Sequence, residues 1–187
     1  MGTGSKAIGK TDDSAKEFVI NLLGTEVTRG FDIDSIYYIH STKEKDKENP
    51  RYWCVIEMLK CDKVDPFSSN PNRYSFNWKK FASLWSVAKK LEGKLYLVNY
   101  SLEKNILSKE QLEGKRIAGI EEFDDKEIRW KDIVKMMEVE DINIEKVKKS
   151  TTNYCKYITL KEYYYTYNSF KKHFRNLNSQ GIGPWEE

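Results

Sequence analysis

The sequence predicts an α/β fold, with a core in the order helix, three strands, helix, strand, followed by a mainly helical C-terminal extension. Three observations point that way. Apolar residues recur at helical spacing in two segments of the first hundred residues, with Ile-, Val- and Tyr-rich runs between and after them. Glycines stand where both helices should stop, at Gly24 and Gly93. With 187 residues, 39% hydrophobic and 33% charged, the chain can bury one substantial core with an appendage, but not two full domains.

Residues 1–10 read as a flexible tail, 11–105 as the core and 106–187 as an extension packed on it. Ser14 and Glu17 have the spacing of a capping box, and Phe18, Val19, Leu22 and Leu23 then form one helical stripe. A short Thr25 to Arg29 strand leads to a strand over Phe31 to Ser41. Thr42 to Pro50 is too charged to be buried and makes an exposed connection to a third strand, Tyr52 to Cys61. That strand is nearly continuous in apolar residues, as strands covered on both faces tend to be. Asp65 to Arg73, with two prolines and two asparagines, is a loop.

Phe81, Leu84, Trp85, Ala88 and Leu91 define an amphipathic helix, with Trp85 packing beside Phe81 and Ala88 and with Lys79, Lys80, Lys89 and Lys90 on other faces. Lys94 to Tyr100 is a compact strand. In the extension, Arg116 to Phe123 offers a further strand, while Glu127 to Val139 and Leu160 to Leu177 are expected to be helices.

Several function classes recede at once. No apolar run approaches the roughly 20 residues needed to cross a bilayer, and Met1 to Lys10 has no signal-peptide stretch, so a cytoplasmic protein with no membrane partner is expected. Cys54, Cys61 and Cys155 form no zinc-like cluster with His40 and His173, and reduced thiols are expected. Gly4 to Thr11 matches the P-loop spacing literally, yet only three residues precede Gly4, too few for the strand that feeds such a loop. The net charge of +3, from 32 basic and 29 acidic residues, permits nucleic-acid binding only on a local patch.

The chemistry concentrates on two neighbouring strands. Gly30-Phe31-Asp32-Ile33-Asp34-Ser35 and Val55-Ile56-Glu57-Met58-Leu59-Lys60 place carboxylates where they can face one another, the oxygen-rich setting that Mg²⁺ prefers. Period-two alternation puts Asp32 and Asp34 on one face. A cation there could polarise a phosphodiester and activate water, while a lysine stabilises developing charge.

These two segments, with the order of elements around them, resemble the PD-(D/E)xK nuclease superfamily, nearest its Mrr-like and Holliday-junction-resolvase-like branches. The resemblance covers roughly residues 11 to 100 and implies a restriction-endonuclease-like core. It makes Asp32 the metal-binding aspartate, with Asp34 the alternative, Glu57 the second acidic ligand, Lys60 the motif's lysine and Glu17 an additional first-helix carboxylate. It further implies Mg²⁺ or Mn²⁺ as cofactor, hydrolysis of phosphodiester bonds in DNA, and a homodimer, since two strands need two cuts. Two departures stand out: Phe31 replaces the usual proline, and Glu57-Met58-Leu59-Lys60 has two residues between acid and base where the family has one. In a regular strand Lys60 then points away from Glu57, and only a β-bulge would bring it back.

A second reading follows from that displacement: a nuclease-fold subunit that binds nucleic acid or a protein partner without cutting. A third rests on Tyr154, Tyr157, Tyr163, Tyr164, Tyr165, Tyr167 and Phe170 interleaved with Lys156, Lys161, Lys171, Lys172 and Arg175, a pattern suited to single strands. Packing against the core accounts more simply for Tyr163, Tyr167, Phe170 and Phe174, which share helical spacing.

Overall fold

The central strands among the described residues are buried on both faces, as their near-continuous apolar runs require. The computed structural model describes residues 33–41, 48, 50–73, 75–123, 126–152 and 154–181. The N-terminal tail with its P-loop-like spacing, the expected first helix with Glu17, the expected short strand at Thr25 to Arg29, and Asp32 lie outside the described residues.

Strand β1, Ser35–His40, runs antiparallel to β2, Arg51–Lys60, with Ser35 opposite Ile56 and His40 opposite Arg51. Helix α1, Trp78–Lys90, then carries the chain back so that β3, Lys94–Tyr100, lies parallel to β2. A strand–helix–strand crossover is needed because parallel neighbours cannot be joined by a hairpin. Gly93 makes the return possible. A Cβ there would collide with the carbonyl oxygen of Trp53, so the requirement is close approach as well as helix termination.

The extension departs from expectation. A short helix α2, Lys109–Leu112, and a two-residue strand β4, Ile117–Ala118, precede β5, Ile133–Ile142, and a one-and-a-half-turn helix α3, Ile144–Lys149. Strand β6, Ile158–Thr166, then leads into helix α4, Tyr167–Ser179. The segment Glu127 to Val139 is therefore not a helix: its second half begins β5. Likewise, Leu160 to Thr166 belongs to a strand, and the helix starts only at Tyr167, where the Thr166 hydroxyl accepts from Ser169 N at 3.1 Å. The extension is not mainly helical, because it supplies three strands to the same six-stranded sheet, ordered β1-β2-β3-β5-β6-β4. The cause is burial. Ile133, Val134, Met136 and Met137 all lie in the core on opposite faces of β5, so the run has the spacing of a helix stripe without being one.

Each face of the sheet carries its own core. On one, Phe81, Leu84 and Ala88 of α1 pack on Val55, Leu95, Leu97, Met137 and Val139. On the other, Phe170, Phe174 and Leu177 of α4 cover Ile56, Tyr96, Val98, Val134 and Met136. Trp85 sits at the margin of the first cluster, half-buried, while Leu84 and Phe81 take the centre. Among the described residues, no helix is long and apolar enough to cross a membrane.

Candidate functional site

The position of Glu57 follows from the register. Residues 55, 57 and 59 of β2 face α1, and one step beyond the Ser35 to Ile56 pair the antiparallel register sets Asp34 opposite Glu57. The Asp34 carboxylate accepts from the backbone N of Met58 at 2.7 Å, which ties the entry to β1 against β2. Asp34 is exposed, whereas Glu57 is 2% exposed. Asp34 and Glu57 are thus neighbours across two strands; Asp32 is not among the described residues.

The cation beside Glu57 comes from a different element than expected. Lys60 lies on the opposite face of β2, and β2 pairs without a bulge on either side. Its ammonium binds Asp62 at 3.0 Å, and the hydrogen bond and charge of Asp62 hold its pKa up. Lys80 instead reaches down from the first turn of α1 and ion-pairs with Glu57 Oε1. A crossover helix starts past the end of its first strand and runs back above it, so its first turn overhangs that strand's final residues. A lysine there is the signal that motif spacing along β2 cannot supply. Lys80 keeps 39% of its side chain exposed, so one end of the pair is open to solvent.

Electrostatics sharpen the arrangement. Burial pushes the Glu57 carboxyl above the usual carboxylate range, the hydrogen bond to Lys80 pulls it back, and the Asp34 charge raises it again. Glu57 Oε2 is buried and has no hydrogen-bond partner. The Asp34 carboxylate is also close enough to share a hydrogen bond with a protonated Glu57, which adds to the rise in the Glu57 pKa. The donor set, all oxygen, is suited to a hard divalent cation. Among the described residues, no group of three or more His, Cys, Asp or Glu side chains converges on one point. No family model, curated protein or solved structure matches the chain.

A second buried polar cluster occupies the same face further along the sheet. Lys135 of β5, 1% exposed, donates to the carbonyl oxygens of Phe67, at 2.8 Å, and Ser69, and lies 3.5 Å from Glu162 Oε1. Burial lowers its pKa and the Glu162 charge opposes that. Its neighbour Asn99 donates to the carbonyls of Pro66 and Ser69, and the Asn72 side chain accepts from the backbone N of Tyr157 and Ile158. Together they pin the loop 61–72 to the sheet. This cluster is a clasp, and its lysine has no access to solvent.

The remaining candidates separate cleanly. Cys54, Cys61 and Cys155 are free, and burial pushes the Cys54 thiol up to about 12, where it is inert at neutral pH. His173 stacks on Tyr165 and His40 is exposed on β1. Of the aromatic series, Tyr157 is buried, Phe170 and Phe174 pack on the sheet, and Tyr154 and Tyr167 are exposed. Tyr163 stands on β6, hydrogen-bonded to Glu138 at 3.1 Å, so it shares no helix face with Tyr167.

Proposed function

We propose that the chain is a metal-dependent endonuclease that hydrolyses phosphodiester bonds in DNA, with Asp34, Glu57 and Lys80 at its reactive centre. The observation that carries this reading is the unpartnered Oε2 of buried Glu57, held between the Asp34 carboxylate and the Lys80 ammonium. Asp34 and Glu57 would hold Mg²⁺ or Mn²⁺. When bound, the cation polarises the phosphodiester and lowers the pKa of water.

The residues divide the remaining work. Glu57 is held by its place on β2, so its carboxyl is oriented before substrate arrives. Lys80, half in solvent, can leave Glu57 for a non-bridging phosphate oxygen and offset the charge that grows there. Lys60, paired with Asp62 on the other face, has no such part.

Incubating the protein with duplex, single-stranded and branched DNA in Mg²⁺ tests the reading. Cleavage by the parent, lost in Asp34→Asn and strongly reduced in Lys80→Met, is the expected result. If the parent cuts none of these substrates, the reading falls, and the displaced Lys60 then favours a nuclease-fold subunit that binds nucleic acid or a protein partner.

A further inference from the structure

Charge is not spread evenly along the chain. Residues 73–80 and 146–156 hold three and four basic residues and no aspartate or glutamate, in a protein with 32 basic and 29 acidic residues. The fold ties these two segments together. Ser75 Oγ donates to the Thr152 carbonyl at 3.4 Å, Cys155 N donates to the Asn72 carbonyl at 3.0 Å, and the buried Asn72 side chain accepts from the backbone N of Tyr157 and Ile158. Within the second segment, the Thr152 hydroxyl donates to the Tyr154 carbonyl at 2.6 Å. Lys80 and Lys148 hold Glu57 and Glu145, while Arg73, Lys79, Lys146, Lys149 and Lys156 stand exposed. This is the local patch that a polyanion requires of a chain with so small a net charge.

Two aromatic rings stand out from the same surface. Phe76 is 73% exposed and Tyr154 is 57% exposed, each within two residues of the bond from Ser75 to Thr152. One exposed ring needs no explanation, but two on tied loops among cations have the makeup of a stacking platform. Helix α4 shows the contrast. Lys171, Lys172 and Arg175 also interleave with rings there, yet Phe170 and Phe174 turn to the sheet. The platform adjoins the proposed centre: Phe76 precedes α1 by two residues, and Lys80 lies in the first turn of that helix. Phe76 also shares a cavity of about 380 Å³ with Leu59, which follows Glu57 by two residues on the same face of β2. Asp62, which lines that cavity too, is paired with Lys60.

We propose that this surface binds a single-stranded segment of DNA, with Phe76 and Tyr154 each stacking on a base and Arg73, Lys79 and Lys156 meeting phosphates. The proposal deepens the nuclease reading, on which it rests for the polymer, and narrows the substrate to DNA with an unpaired stretch beside the scissile bond. In a duplex both faces of a base are covered by its neighbours, so an exposed ring finds a free face only where the strand is unstacked. Every base has such a face, and no base preference is therefore expected.

Both rings are exposed, so their truncation leaves the fold intact and the test runs on full-length variants. Binding of labelled oligo-dT and of a blunt duplex is followed by fluorescence anisotropy without Mg²⁺, so that no strand is cut. The parent should bind the single strand at least about tenfold more tightly than the duplex. Phe76→Ala and Tyr154→Ala should each weaken single-strand binding at least about fivefold, leave duplex binding unchanged and melt with the parent, and Phe76→Trp should bind as the parent does. Tyr167→Ala, which removes an exposed ring from α4, should have no effect on binding. Lys156→Gln should reduce the slope of log affinity against log salt by about 0.7 on the single strand. A parent that binds duplex as tightly as single strand, or binds neither, overturns the proposal. So do Phe76→Ala and Tyr154→Ala proteins that bind like the parent, or a loss confined to Tyr167→Ala. In Mg²⁺, cleavage of blunt duplex and single strand at one rate, by the parent and by both alanine variants alike, sinks the platform and leaves the nuclease reading standing. Single-strand binding that depends on the two rings, with no cleavage of any substrate, sinks the nuclease reading alone.

Discussion

Lys80 and Lys135 stand over the same face of one sheet, each beside a glutamate, and they do different things. Lys135 is enclosed and its donors are committed to two loop carbonyls and to Glu162. Lys80 holds Glu57 from the solvent side and leaves one oxygen of that carboxyl unmet. A buried charge with every partner in place is a structural tie, and removing it exposes unsatisfied groups. A charge pair with an open side and an unpaired oxygen is poised for a third party. The contrast lies in the hydrogen-bond inventory rather than in burial, since Glu57 and Lys135 are equally inaccessible.

Substitutions can break this contrast. The largest expected effect is on cleavage by Lys80→Met, which should fall about 100- to 1000-fold, the usual cost of losing one charge-stabilising donor, and the variant should also lose stability at neutral pH, because buried Glu57 is left without its cation. Phe81→Ala should lose roughly 3–5 kcal/mol of stability in denaturant unfolding, and half-buried Trp85→Ala should lose less, since Phe81 and Leu84 occupy the centre of the α1 cluster. Lys135→Met should differ from Lys80→Met in cleavage rather than in stability. It leaves the Phe67 carbonyl without its Lys135 donor, at a cost of about 1–3 kcal/mol, while cleavage by the folded protein falls far less. Were Lys135→Met to lose cleavage and Lys80→Met to keep it, the two lysines would have to exchange roles.

A subtler difference should appear with pH in the metal-free protein. Burial, with Asp34, raises the folded pKa of Glu57 above the ordinary carboxyl value. Between those two values the folded state binds more protons than the unfolded one, so stability falls as pH rises through the window and is level above it. Glu57→Gln lacks that titration and should gain on the parent from acidic toward neutral pH. Melting curves of the two that run parallel across this range would show that Glu57 is not desolvated as described. Smallest of all, Lys60→Met should lose less cleavage than Lys80→Met and should melt with the parent, because its partner Asp62 is as exposed as it is.

Local pattern made the first half of the described chain legible, and long-range pairing kept the second half hidden. Strands β1 and β2, helix α1 and strand β3 fall where alternation, a helical stripe and Gly93 put them. Strands β5 and β6 carry the sequence pattern of helices because a strand buried on both faces has no alternation to display, and because Tyr163, Tyr164 and Tyr165 fit either period. The site divides the same way. Asp34 and Glu57 were visible as carboxylates on successive strands, since hairpin-like pairing of β1 and β2 makes them neighbours. Lys80 was visible only as a solvent-facing lysine, since its contact with Glu57 depends on how a crossover helix lies over its strand. Nothing local announces that.

Magnesium titration of the melting temperature, run side by side on the parent and on Glu57→Gln, tests the central claim most directly. A carboxyl pair that repels within the fold should be stabilised when a cation occupies it, through binding linkage. The parent should therefore melt at a higher temperature as Mg²⁺ rises. Glu57→Gln should show no such rise, should not cleave DNA, and without metal should be at least as stable as the parent. A parent that is indifferent to Mg²⁺, or a Glu57→Gln protein that keeps both the rise and the cleavage, would contradict the account.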